Sequence, residues 1–475
     1  MTVDWGRDGP DLLLTLDHDA PLGAQLQDQM RAAIREGRLA AGERLPSTRR
    51  LAERLRVSRG TVVEVYEQLL AEGYVESAIG SGTRVAAVAL LSSGDTKVQS
   101  GPNTTQVKPD IDFEYGIPDL SSVPLADWAR AVSEATRKLP TAELGDEAPA
   151  GSKHLREVVS AYHRRVRAGC AVAQDAIVVG GFRQGLAFAL STLAKHGIRR
   201  LALEDPGPRD HDVIARRAGL EPVPVPVDGD GLDVRRLRES GARAVLLTPA
   251  HQCPTGVVLG PLRRRELVAW ASDVDGVMLE DDYDAEFRYD RQPVGSLQGL
   301  DPDRVIALGS VSKTLAPTIR LGWVFAPRRF LDGIIEEKRL SSRGAPGLDQ
   351  EALALLMESG RYDRHLRRVR EIYRARRGVL VAAVQAEFGA QARLQGLSAG
   401  CHALLRLPES VSEQGVVEAA RSRLVGVRGL GDYRFAPGST HVQPHPWSPA
   451  LVLGFGNVTE NQIRRGIRIL AEAVR

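Results

Sequence analysis

Cysteine is scarce: Cys170, Cys253 and Cys401 are all that 475 residues contain, odd in number and far apart. Such spacing excludes both a disulfide framework and a cysteine zinc site, so reduced thiols are expected and no metal. Net charge is small too, +3 at pH 7, and no global basic field advertises nucleic acid. The chain lacks an apolar run of about 18 residues and a charged-then-apolar leader with a cleavage site, so a cytoplasmic protein without a membrane partner is expected. What it does have is length and 43% hydrophobic residues, enough for roughly three domains of ordinary size.

Charge is concentrated locally. Between Arg31 and Arg59 stand nine arginines, no lysine and three glutamates, a net +6. A solvated helix face would account for mixed charges, but the planar arginine fork matches phosphate and guanine bidentately. Leu26, Met30, Ala33 and Ile34 recur at helical spacing and predict a helix from Leu22 to Glu36, stopped by Gly37. Pro46-Ser47 opens a second helix, Thr48 to Leu55, and Val57-Ser58 turns into a third with Val62, Tyr66, Leu69 and Leu70 inward. Two short helices joined tightly predict a helix-turn-helix. The segments Tyr74 to Ser77 and Gly80 to Val85 predict two strands around a glycine-rich tip, a wing. In that arrangement the third helix presents Ser58, Arg59 and Thr61 to the major groove, flanked by Arg44 and Arg49, with Ser81 and Gly82 at the wing.

The stretch Leu91 to Asp110 is rich in Ser, Thr, Gly, Pro and Asn and predicts a flexible linker. Beyond Ile111, helical stretches alternate with β-branched runs at Ala176 to Val179, Leu201 to Leu203, Ala244 to Leu247, Val277 to Leu279 and Val305 to Ala307. That alternation predicts an α/β domain with a mainly parallel sheet between helices. From about Pro327, long helical patterns and a final strand and helix predict a smaller α+β part.

Four segments fall where such a sheet puts ligands, just past strand ends. In LGSVSKTLAPTIRLGW, Ser310, Ser312, Lys313 and Arg320 suit a phosphorylated aldehyde: a lysine for a Schiff base, with hydroxyls and an arginine for the phosphate. Pyridoxal 5'-phosphate is the expected cofactor. In VVGGFRQGLAFAL, Gly181, Phe182 and Arg183 open a helix whose backbone N–H groups can bind that phosphate. In VMLEDDYDAEF, Asp281 can pair with the pyridine nitrogen and Tyr283 with the ring oxygen. Taken alone, Glu280, Asp281, Asp282 and Asp284 equally read as a metal site or a solvated turn. The fourth segment, LLTPAHQCPTGVVLG, is a strand ending in a turn.

The run GRLAAGERLPSTRRLAERLRVSRGTVVEVYEQLLAEGYV with the following GSGT resembles the winged helix of GntR-type transcription regulators. The four later segments, in order and spacing, resemble the fold-type I aminotransferases from Ile111 to Arg475. Together they resemble the MocR/GabR/PdxR subfamily of GntR-type regulators. The resemblance implies a winged helix-turn-helix over residues 12–86, a linker over 87–110 and an aminotransferase-like domain over 111–475, its large part at about 130–325 and its small part at about 326–475. It also implies a homodimer on a double-stranded DNA operator, with Lys313 as the Schiff-base lysine.

Departures temper an enzymatic reading. Pro208 stands where an EDPTYP-like segment carries a ring-stacking tyrosine, Leu144 where a tyrosine reaches the partner's phosphate, and Cys253 where many aminotransferases have asparagine before PTG. Strand LVLGF offers no carboxylate-binding arginine, and Arg428 and Arg434 are the nearby alternatives. The expectation is therefore a regulator sensing pyridoxal phosphate or an amine or amino-acid ligand, with control of vitamin B6 synthesis preferred to control of amino-acid catabolism. In it, exchange at Lys313 shifts the population of domain arrangements. The rival is a true aminotransferase with an appended DNA-binding module.

Overall fold

The computed structural model describes residues 14–17, 19–78, 82–86, 108–141, 145, 148–289, 294–342, 344–389, 392–396, 399–435 and 449–475. The chain divides into two compact units, residues 1–105 and 106–475.

In the first unit, α1 (Leu22–Arg35), α2 (Thr48–Leu55) and α3 (Arg59–Ala71) precede a hairpin of β1 (Val75–Ala78) and β2 (Gly82–Val85). Serines start the two short helices: Ser47 Oγ accepts from Arg50 N and Ser58 Oγ from Thr61 N, satisfying N–H groups that a helix start leaves orphaned. Leu26, Met30, Ile34, Leu51, Val62, Val65, Tyr66, Leu69, Val75 and Val85 meet in one core. Leu70, expected inward, is 44% exposed. It stands one residue, about 100°, beyond Leu69 on the helix, and Val65 fills the core in its place. The Tyr66 hydroxyl donates to the Pro46 carbonyl at 2.9 Å, pinning α3 under the turn that launches α2.

The second unit begins with β3 (Ile111–Asp112), α4 (Leu125–Lys138) and α5 (Lys153–Arg167). Then come β4 (Ala176–Val179), α6 (Phe182–Lys195), β5 (Arg200–Asp205), α7 (Asp210–Arg217), β6 (Glu221–Asp228), β7 (Gly231–Leu232), α8 (Val234–Glu239), β8 (Ala244–Leu247), α9 (Pro261–Asp273), β9 (Val277–Asp282), β10 (Val305–Ser310) and β11 (Gly322–Phe325). The C-terminal part runs through α10 (Arg328–Ser342), α11 (Gly347–Glu358), α12 (Arg361–Phe388), β12 (Arg393–Gln395), β13 (His402–Arg406), α13 (Glu413–Ser422), β14 (Val425–Gly426), β15 (Arg428–Gly429), β16 (Ala450–Gly454) and α14 (Glu460–Val474).

Eight strands form the main sheet in the order β4-β11-β10-β9-β8-β5-β6-β7. The central pairs are parallel, and β11 runs antiparallel to both β10 and β4. Side-chain alternation covers both faces. Ile177, Leu201, Leu246, Leu279 and Ile306 pack with Leu186 and Leu190 of α6 and Ile334 of α10. On the other face, Ala202, Val245 and Met278 pack with Leu237 of α8 and Leu267 and Trp270 of α9, and Ala176 and Val178 with α4, α5 and α11. A smaller sheet, β12-β13-β16-β15, belongs to the C-terminal part, where β14 also pairs with β3.

Strands β5, β9 and β10 run two or three residues beyond their predicted apolar cores, ending on Glu204-Asp205, Glu280 to Asp282 and Ser310. Strand β6 was not expected because Pro222, Pro224 and Pro226 interrupt it. It survives because its second neighbour, β7, pairs only at Val227 and Asp228, so the prolines at alternate positions leave no ladder donor missing on that edge.

Candidate functional site

Strands β5, β8, β9 and β10 are parallel, and β4 matches their direction because both β4 and β10 oppose β11. Their C-terminal ends therefore share one edge, which gathers Gly181, Asp205, Thr248, Asp281 and Ser310.

An anion cradle occupies one end of this edge. Gly181 caps α6 at φ 98°, in the region that favours glycine, and a side chain there would meet the Arg320 guanidinium carbon at 3.7 Å. Arg320 itself is exposed and left-handed, φ 53°. Ser310 pairs with Gly322 across β10 and β11, and a Cβ on Gly322 would stand 3.1 Å from Gly181 Cα, so this approach requires bare backbone. Ser312 N donates to Ser310 Oγ at 3.4 Å. The positive end of α6 thus stands beside the Arg320 guanidinium, close to the strand pair that carries Ser310. The Arg183 side chain turns away into an exposed ion pair with Asp210, which leaves its backbone N–H as its contribution. The Phe182 ring lies 5.6 Å from that of His211.

Asp281 lies opposite Leu308 in the β9–β10 register, one strand from the segment that carries Lys313. Burial pushes its carboxyl well above the usual range, with Asp282 and Asp284 adding repulsion and Lys313 opposing them. A cation beside it would reverse that cost. The half-buried Lys313 ammonium donates to the Gly116 carbonyl and lies 5.7 Å from the Tyr115 ring centroid. Gly116 has φ 89°, and a Cβ there would press to 2.6 Å from Lys313 Nζ. The Tyr283 hydroxyl donates to the His251 carbonyl at 2.7 Å and lies 3.3 Å from His251 Nδ1. His251 Nδ1 in turn meets Asp284 Oδ2 at 2.9 Å.

Sequence reasoning missed Tyr115, His251 and His402. Tyr115 stacks edge-on with Tyr283 at 6.0 Å and with His402 at 4.8 Å, and it also bonds Cys253. The signal for His251 was present in HQCPTG, beside the turn already singled out. Tyr115 and His402 come from remote segments, and nothing local marks them.

In the first unit, Ser58 and Arg59 are exposed at the start of α3, and the Thr61 hydroxyl lies 2.8 Å from Ser58 Oγ. Arg49 is 82% exposed and 3.2 Å from Glu53. Arg44 bridges to Arg84 of β2, and its Nε would stand 3.1 Å from a Cβ on Gly82, whose φ is 83°. These residues bring cations and hydroxyls to the helix start and the wing. Ser81 lies outside the described residues.

Residues 22–85 match the family of bacterial regulatory proteins of the gntR type, and residues 108–414 match aminotransferase class I and II. The chain is 30% identical to the probable rhizopine catabolism regulatory protein MocR of Rhizobium meliloti, over 97% of this chain and 95% of that one. It is 32% identical to the pyridoxine biosynthesis transcriptional regulator PdxR of Corynebacterium glutamicum, over 98% and 99%. The chain belongs to the MocR-type GntR family. Among solved structures, the α-aminoadipate aminotransferase LysN of Thermus thermophilus, complexed with N-(5'-phosphopyridoxyl)-L-leucine, matches with TM-score 0.67 at 24% identity, covering 77% of this chain and 92% of that one. A Pyrococcus horikoshii kynurenine aminotransferase matches with TM-score 0.69 at 21%, covering 81% and 95%. At such identities they show the fold.

This MocR-type chain also fills the places where it departs from aminotransferases. Near Pro208, the Phe435 N–H donates to Asp205 Oδ1 at 3.3 Å and the Arg209 guanidinium lies 4.2 Å from the Phe435 ring. Cys253 is buried, and burial pushes its thiol well up, which disfavours the thiolate. Arg428, an alternative for a carboxylate clamp, is held by Glu114 at 2.8 Å. Leu144 lies outside the described residues. No described helix is long and apolar enough to cross a membrane.

Proposed function

We propose that this MocR-type protein is a cytoplasmic, homodimeric transcription regulator that binds an operator through its winged helix and senses pyridoxal 5'-phosphate at Lys313. One observation carries the reading: Lys313, in the turn that follows β10, acts on the buried Asp281 of the adjacent strand β9, at the edge that also holds the cradle of Gly181, Ser310 and Arg320. These residues fit the cofactor, since a buried carboxyl opposed by acidic neighbours needs a cation and the cradle needs an anion. When bound, pyridoxal phosphate supplies an aldehyde and an electron-withdrawing ring. Asp281 then holds a proton at the ring nitrogen, and Tyr283 orients the ring oxygen. Ser310, Ser312, Arg320 and the first N–H groups of α6 hold the phosphate. Lys313 would hold the aldehyde end of the cofactor through the Nζ that now meets the Gly116 carbonyl.

Control of vitamin B6 synthesis is the preferred output. Arg428 is occupied by Glu114, so one arginine available to grip an amino-acid carboxylate is removed, and a relative is named for regulation of pyridoxine biosynthesis. A regulator of catabolism is the second reading, favoured by the name of the rhizopine relative. In a dimer, ligand exchange changes the spacing of two DNA modules and hence the half-sites they fit.

The test titrates cofactor-free protein with pyridoxal phosphate while following visible absorbance and operator binding. A new visible band that Lys313→Ala abolishes, with operator affinity shifting in parallel, is expected. Many transamination turnovers per subunit with candidate amino donors and a keto acid would sink the regulator reading.

A further inference from the structure

Behind Tyr283 lies a group of side chains that the cofactor does not use. His251, Asp284 and His402 are at most 2% exposed, and one donor atom of each lies within 4.8 Å of the others. The two imidazoles stand 4.6 Å apart, centroid to centroid. Among the described residues His251 Nε2 has no hydrogen-bond partner, and neither has His402 Nδ1 or Nε2. The Pro254 carbonyl does lie close enough to pull on one nitrogen of the His402 ring, which leaves the other one and His251 Nε2 unengaged. Unengaged ring nitrogens in one buried pocket are costly, because a buried polar atom without a partner forfeits about 1 to 3 kcal/mol. Two of the walls are bare backbone. A Cβ on Gly400, at φ 65°, would run into Asp284 Oδ2 at 2.2 Å and His251 Nδ1 at 2.6 Å, and one on Gly256 would stand 3.2 Å from His251 Nε2.

We propose that His251, Asp284 and His402 form a binding site for a divalent transition ion, zinc above all. Two imidazoles and one carboxylate are a borderline donor set that selects such ions over magnesium or calcium. Bonds of about 2.0 to 2.2 Å in a tetrahedral shell set ligand atoms roughly 3.4 Å apart, so the group closes by about 1 Å around the ion. Three protein ligands leave a fourth position for water or a phenol, and Tyr115 packs on His402 at 4.8 Å. Because the His251 carbonyl holds the Tyr283 hydroxyl, the ion fixes the residue that orients the cofactor ring. That coupling rests on the pyridoxal phosphate reading, whereas the ion site does not.

The experiment uses tag-free, full-length protein carrying Lys313→Ala, so that no cofactor competes for metal, stripped with chelator and titrated with Zn²⁺ and separately with Co²⁺. One ion per chain is expected, with a visible Co²⁺ d–d band lacking sulfur charge transfer. His251→Gln and His402→Gln should each weaken binding at least about 100-fold, and Asp284→Asn about 10- to 100-fold. Binding unchanged in His402→Gln, a Co²⁺–thiolate band from Cys253 or Cys401, or no ion above buffer overturns the proposal. Should a histidine variant fail to fold, the Lys313→Ala protein still decides: a melting temperature unmoved by saturating Zn²⁺ also overturns it.

Discussion

Asp281 and Lys313 carry the cofactor reading between them, and each can be tested alone. In the cofactor-free protein Asp281 is a buried carboxyl beside two like charges, a costly arrangement whose partial relief comes from Lys313. Asp281→Asn should leave the melting temperature of that protein unchanged or raised, while weakening pyridoxal phosphate binding at least about tenfold in an absorbance titration. Lower stability together with unaltered binding would mean that the carboxyl is structural. These two residues were legible because each sits in a contiguous segment whose residue types state their chemistry. Tyr115 and His402 were not, because their roles arise from packing between segments far apart in the chain. The lone His251 gained meaning only when Asp284 and His402 were found beside it.

Caps decide more than periodicity in the helices of the DNA-binding unit. Ser58 opens α3 by accepting from Thr61 N at 3.0 Å, so Ser58→Ala should cost about 1 kcal/mol of that unit's stability. Hydrogen exchange along α3 measures it, and exchange no faster than in the parent would refute the cap's importance. Arg59 is exposed at the same helix start. Arg59→Ala should abolish specific operator binding and leave the visible cofactor band intact, with the band itself as the control. If the arginine meets only phosphate, the loss becomes uniform across sequences and the salt slope falls by about one. The three helices and the wing were readable because each carries its own stop or start, Gly37, Ser47, Ser58 and Gly73. Strand β6 was hidden because its alternate prolines forbid a central strand, and only knowledge of its neighbours reveals the open edge that tolerates them.

Across the whole molecule, buried ionisable groups set opposing responses to pH. Burial raises the Glu204 carboxyl to about 7 even though Thr248 donates to it at 2.7 Å, and it raises Glu286 to about 7 as well. A raised carboxyl stabilises the fold fully below its unfolded value of 4.5, and that contribution is lost as pH rises towards 7. His163 and His211 behave oppositely. Burial lowers both to about 4 from 6.5, so the neutral rings stabilise the fold at higher pH and that stability is lost as pH falls through 4. For Glu204, Glu286, His163 and His211, two falling and two rising contributions overlap between 4.5 and 6.5, each limited to about 1.4 kcal/mol per pH unit. These four contributions should therefore largely offset one another over that window, although no one of them is neutral to it. Glu204→Gln removes one falling contribution and keeps the donors of Thr248 engaged. Its stability should then rise with pH relative to the parent, whereas His211→Asn should make it fall. Denaturant midpoints measured across the window decide: variant curves that stay parallel to the parent's would mean that these groups titrate alike folded and unfolded.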